Sequence, residues 1–150
     1  MSDLYEADRI SWIGLRAVEL PLQQPVSDAK VLTGRQLPLA SVSLLFVELQ
    51  SQQGHHGLGF SYSLRNGGPA QYAHARELAP LLLGEDPNDI ARLWSRLSWA
   101  SASIGRSGLA VQSIAAFDTA LWDLKARRAG LPLAKLLGAH RDAVPCYNTS

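Results

Sequence analysis

SIAAFDTALWDLKARRAGLPLAKLLG (113–138) decides the fold, because no other stretch of the chain holds a single apolar period for so long. With Val111 just ahead of it, Ile114, Phe117, Leu121 and Leu124 recur at intervals of three and four, which sets them along one stripe of a helix. Gly130 ends the stripe, since glycine accepts the left-handed backbone that stops a helix, and Pro132 opens a further short turn, PLAKLLG (132–138). Asp118 and Trp122 lie four apart, as do the oppositely charged Asp123 and Arg127, the spacing at which side chains meet on a helix surface. A segment this long and this apolar along one face predicts the core pillar of the domain.

Upstream, the same period recurs in shorter pieces. ASASIGRSG (100–108) is a loop of small residues; its GRSG (105–108) lacks both the Lys-Ser/Thr ending and the preceding strand of a phosphate loop and reads as a helix start. Asp86 followed by Pro87 predicts the start of a helix through Ile90, Leu93, Trp94 and Leu97: an acceptor for free amides, then a ring preset for the first turn. Trp94 and Trp99 are expected to bury against the third helix, with a part in subunit contacts as the other option. Before them, Tyr72, Ala75, Ala79 and Leu82 or Leu83 share one face behind the Gly67, Gly68, Pro69 break, and Gly84 stops that helix.

Ahead of Gly67 the period is that of strands. ISWIGLRAVELPL (10–22) mixes β-branched and aromatic residues with single charges and is closed by Pro21 and Pro25. SVSLLFVELQSQ (41–52) is nearly continuous in apolar residues, as a strand covered on both faces should be, and HHGLGFSYS (55–63) follows a turn at Gln53 and Gly54. Three strands with one tight turn predict an antiparallel meander. Between the first two, QQPVSDAKVLTGRQLPLA (23–40) has no sustained period and is longer than a usual connection, the mark of a loop with a task. DAVPCYN (142–148) reads as one more strand, and a chain stopping inside an apolar strand reads as a fragment. The expected class is α+β, with residues 1–140 as one domain and 141–150 as the beginning of the next.

Composition narrows the function. The 150 residues are 47% hydrophobic, enough for one core, and 14 basic against 13 acidic side chains give a net charge of +1 with no basic stripe for a nucleic acid. The single Cys146 has no internal disulfide partner, and the first residues lack a secretory signal, so a reducing cytoplasm is the expected compartment. No run approaches a membrane helix in length, which makes the chain read as soluble.

Residues 113–138 resemble the N-terminal signature of the mandelate racemase and muconate lactonizing enzyme family, in the enolase superfamily. In that signature small residues precede an apolar-acidic pair, here Phe117 and Asp118; Ala120, Leu121, Asp123, Arg127 and Pro132 follow, and Leu136, Leu137 and Gly138 close it. Ser113 and Phe117 depart from the usual alanine and aliphatic, a matter of packing. PVSDAKVLTGRQ (25–36), GFSYSLRNGG (59–68), LLGEDPNDI (82–90) and GLPLAKLLGAHRD (130–142) resemble the branch that dehydrates the hexarates galactarate and L-talarate, so the likeness covers nearly all of 9–150.

The resemblance implies a capping domain, a three-stranded sheet with a helical bundle, whose loops roof the mouth of a (β/α)8 barrel; residues 141–150 would begin the first barrel strand. It implies a hydro-lyase that removes the proton next to a carboxylate, holds the enediolate with Mg²⁺ and loses a β-hydroxyl. The catalytic residues and metal ligands would all lie beyond residue 150, and the working protein would be a homo-oligomer. A racemase or a dehydratase of another sugar acid stays open, as does a non-catalytic binding or oligomerising module.

The loops 23–40 and 61–70 are the candidate roof. A hexarate carries two carboxylates, and the one not held by the metal needs a cation or N–H donors, which Lys30, Arg35 or Arg65 would provide. By the resemblance, Asp28, Ala29 and Lys30 meet substrate in the first loop, and Leu64 and Arg65 in the second. Leu64 stands where the branch has a lysine and can neither pair with a carboxylate nor bond a hydroxyl, which keeps other sugar acids open. Tyr147 and Asn148 are candidates for the pocket floor. His55 and His56 are neighbours whose side chains diverge, a poor metal pair; His74 and His140 read as surface or capping residues, and Asp118 and Asp123 as structural.

Overall fold

The computed structural model describes residues 8–147. Strands β1 (Ile10–Val26), β2 (Leu39–Ser51) and β3 (His56–Leu64) form one antiparallel sheet in the order β1-β2-β3, the expected meander. A one-turn helix α1 (Ala29–Leu32) lies between β1 and β2, and α2 (Gly68–Leu78), α3 (Ile90–Ala100), α4 (Leu109–Arg128) and the short α5 (Leu133–Leu136) follow β3. The class is α+β, as expected.

The helices cover one face of the sheet. Alternate residues of β2, Leu45, Val47 and Leu49, point into the core, where Phe117, Leu121 and Leu124 of α4 meet them together with Leu78, Leu93 and Leu97. Val111 sits outside this set, 41% exposed at the first turn of α4. β3 reverses the usual strand pattern: its inward residues are Gly57, Gly59, Ser61 and Ser63, while its large apolar residues point away from the helices. The small side is what lets α4 lie against β3. A methyl group at Gly59 would stand 2.1 Å from the Ala116 carbonyl oxygen, and one at Gly57 would stand 2.2 Å from that of Ala120.

Four expectations need correction. β1 does not close at Pro21 but runs to Val26 with a register shift, because a proline on an edge strand costs no ladder hydrogen bond. The Asp86-Pro87 signal does not open α3, which begins at Ile90; Asp86 instead accepts from the Asn88 amide at 2.8 Å and caps the turn ahead of it. Trp94 and Trp99 are not buried, being 48% and 67% exposed, and Arg106 lies over the Trp99 ring at 3.7 Å. Residues 142–147 form no strand, since no neighbouring strand among the described residues offers them hydrogen bonds; Asn148 lies outside the described residues. No helix of the described residues is long and apolar enough to cross a membrane.

Candidate functional site

In a meander the first and third strands run the same way, so β1 and β3 leave the sheet at one end. The segments after them, 27–38 and 65–67, therefore emerge side by side, although about forty residues separate them in sequence. Arg65 ties them together. Its Nη2 lies 3.1 Å from Asp28 Oδ2, and its Nε donates to the Leu37 carbonyl at 3.1 Å, so one guanidinium holds both ends of the first loop. The other oxygen of Asp28 accepts from the backbone amides of Lys30 at 3.0 Å and Val31 at 3.2 Å, capping α1. The first loop, α1 and the turn after β3 are thereby one hydrogen-bonded unit.

Arg65 has a backbone φ of 65°, in the left-handed region, and is the sole non-glycine residue there among the described residues. The Asn66 amide bonds the Leu64 carbonyl at 2.8 Å across this tight turn. A non-glycine residue in that conformation costs on the order of 1 kcal/mol, which the two guanidinium contacts offset. The Val31 amide holds the Asp28 carboxyl below the usual carboxylate range; the Arg65 charge acts in the same sense and partial burial acts against it. At neutral pH the Asp28–Arg65 pair is ionic.

Beside the pair lies a cleft of about 460 Å³, lined by Arg35, Gln36, Leu37, Pro38, Arg65 and Asn66. Its two cations come from different loops, and its remaining walls are polar or aliphatic. That volume lies within the range of small-molecule sites. The Ser41 hydroxyl at its edge donates to Glu19, which Ser43 also reaches at 2.6 Å; the Ser41 bond, with that of Ser43, draws the Glu19 pKa down.

The residues singled out from sequence divide here. Asp28 and Arg65 are in contact, and Arg35 and Arg65 share the cleft, whereas Ala29 and Lys30 are exposed on α1 and do not line it. Leu64 projects on the outer face of the sheet, so its departure from the branch pattern removes no charge from the cleft walls. Tyr147 is 88% exposed. His74 is not a surface residue: its ring is buried and its Nε2 lies 2.9 Å from the Ser101 hydroxyl. His55 and His56 join no metal-binding group, and no cluster of three His, Cys, Asp or Glu stands together among the described residues. Asp123 forms the i, i+4 pair with Arg127 read from the sequence, accepting from it at 2.7 Å, and also accepts from the edge amide of Leu58 at 2.8 Å. Gln36, Leu37 and Asn66 were missed, because a backbone carbonyl and cleft-wall amides leave no signal in residue type.

Residues 21–138 match the family described as mandelate racemase / muconate lactonizing enzyme, N-terminal domain. The chain is 64% identical over 143 residues to the L-talarate/galactarate dehydratase of Salmonella typhimurium LT2, an alignment covering 95% of the chain and 36% of that protein. Among solved structures, the Salmonella enzyme liganded with Mg and L-lyxarohydroxamate matches with a TM-score of 0.93 at 60% identity, over 98% of this chain and 38% of that one. The L-talarate dehydratase of Polaromonas sp. JS666, complexed with Mg and L-glucarate, matches with a TM-score of 0.90 at 65% identity, over 95% and 38%. The chain thus spans between a third and two fifths of the length of these relatives.

Proposed function

From a chain that belongs to the mandelate racemase / muconate lactonizing enzyme family and carries its N-terminal domain, we propose the capping domain of a longer acid-sugar dehydratase that acts on a hexarate such as galactarate or L-talarate. The observation that carries this reading is the cleft lined by Arg35 and Arg65, cations from two loops that the Asp28–Arg65 pair ties together. A diacid whose near carboxylate is engaged elsewhere leaves the far one to be neutralised, and a guanidinium pair is suited to that by charge and planar donor geometry.

The reaction is loss of a proton next to the near carboxylate and departure of the β-hydroxyl as water. By the family resemblance its base, its acid and Mg²⁺ are assigned to chain outside residues 8–147, and no group of three His, Cys, Asp or Glu side chains among the described residues fits the cation. The part of this chain is to bind the far carboxylate, fix the register of the sugar acid and close the site to solvent. Such remote binding energy positions the reacting carbon and so lowers the barrier of a step it does not touch. The same reading places residues 141–150 at the entry to a (β/α)8 barrel and makes the working protein a homo-oligomer in the cytoplasm.

The test is turnover by the full-length protein of galactarate and L-talarate against the matching monocarboxylates. Dehydration of the diacids with clear preference in kcat/KM is the expected result; preference for a monocarboxylate, or no elimination from either, would sink the proposal.

A further inference from the structure

Two kinds of polar residue line the cleft beside the Asp28–Arg65 pair. Arg35 and Arg65 carry N–H donors and no acceptor, whereas the side chains of Gln36 and Asn66 each carry a carbonyl oxygen that accepts and an NH2 group that donates. Each loop supplies one of each kind, Arg35 and Gln36 from the first and Arg65 and Asn66 from the turn after β3. Arg65 is partly engaged with Asp28 and the Leu37 carbonyl; the side chains of Arg35, Gln36 and Asn66 have no hydrogen-bond partner among the described residues. The hydroxyl of Ser41, which also borders the cleft, already donates to Glu19.

The main chain carrying these groups is held in place. The Lys30 carbonyl accepts from the amides of Arg35 at 2.8 Å and Gln36 at 3.2 Å, which fixes the exit from α1. On the other loop the Asn66 amide bonds the Leu64 carbonyl at 2.8 Å, and the Ser63 hydroxyl donates to the Asn66 carbonyl. Fixed backbone with unengaged side chains is what a preorganised polar site requires, because little ordering is left for the solute to impose.

The two kinds of group answer different parts of a sugar acid. A carboxylate only accepts, so the arginines match the far carboxylate of a hexarate. A hydroxyl both donates and accepts, and its proton needs an acceptor that arginine lacks; a carboxamide supplies acceptor and donor together. We propose that Gln36 and Asn66 recognise the hydroxyl on the carbon beside the far carboxylate and so set the preference among hexarate stereoisomers, leaving the choice of diacid over monoacid to Arg35 and Arg65. The inference rests on the hexarate reading above and adds to it the carbon at which configuration is sensed.

The experiment is steady-state kinetics on the full-length protein, with far-UV circular dichroism to check folding. The substrates are pairs of hexarates that share every configuration except the one at the carbon beside the far carboxylate, with the matching monocarboxylates as reference. Wild type is expected to prefer one member of a pair by at least about tenfold in kcat/KM, since the wrong epimer leaves the carboxamides unpaired. The double variant Gln36→Met/Asn66→Leu keeps side-chain size at two exposed positions and removes both carboxamides. It should bring that ratio to within about threefold of unity while the preference for diacid over monoacid persists. A wild type that does not distinguish the epimers, a ratio that survives in the double variant, or a diacid preference lost together with it each overturns this inference and leaves the hexarate reading standing. A wild type that dehydrates no diacid overturns that reading, and this inference with it.

Discussion

Arg65 does two things with one side chain: it clasps the first loop through Asp28 and the Leu37 carbonyl, and it forms a wall of the cleft. Arg65→Ala in the full-length protein is therefore expected to raise KM for a hexarate on the order of tenfold or more, the worth of a charge-assisted bond, and to raise KM for a monocarboxylate much less. Equal effects on both would contradict the contact with a far carboxylate. The Asp28 pair also fixes a pH window. Its folded pKa lies below the unfolded carboxylate value, so the clasp is fully present above about pH 4 and is lost as the pH falls through the depressed folded value. Protease protection of the 27–38 segment should hold from pH 8 to pH 5 and fail only in stronger acid. The family resemblance pointed to Asp28, and residue type alone to Lys30, Arg35 and Arg65 as cations in unpatterned loops. It did not rank Arg35 above Lys30, because which cation faces the cleft depends on the single helical turn that Asp28 caps and that carries Lys30 into solvent.

At the scale of elements, the contact of α4 with β3 rests on the absence of side chains. Gly59→Ala would drive a methyl group against the Ala116 carbonyl and the Ala120 amide nitrogen of α4, backbone atoms that have no rotamer to escape into. A loss of about 3 kcal/mol, the upper part of the overpacking range, is expected in denaturant unfolding; a loss below about 0.5 kcal/mol would mean that α4 stands off the sheet. Asp118, half-buried on the same helix, has its pKa raised by burial, so its ionised form opposes folding. Asp118→Asn should raise Tm at pH 7 and leave it unchanged at pH 3, where the native carboxyl is already protonated. The long period of α4 and the meander were legible in sequence because each has one dominant cause, a stripe of apolar residues or a tight turn. The start of α3 was not: Asp86 and Asp89 both precede it, and only the fold decides which one caps a turn and which flanks the helix. The exposure of Trp94 and Trp99 escaped for a related reason, since periodicity locates a helix but not how much of its circumference the neighbours cover.

For the whole molecule, the order β1-β2-β3 explains how a site arises from loops far apart in sequence. Two strands of like direction deliver their following segments to one end, and the core beneath, led by Phe117, Leu121 and Leu124, holds that end rigid. On the proposed Mg²⁺-dependent reaction a chelator is expected to abolish turnover by the full-length protein, and because no group of side chains among the described residues fits Mg²⁺, added Mg²⁺ is expected to leave the melting of residues 1–150 alone unchanged. A Tm rise in the 150-residue chain on adding Mg²⁺ would place a cation site within it. The measurement that bears most directly on the account is a crystal structure of the full-length protein with a bound hexarate. It should show the far carboxylate within hydrogen-bond distance of the Arg65 or Arg35 guanidinium, with Asp28 still holding the first loop. A far carboxylate resting on other groups, with both arginines turned to solvent, would contradict the account.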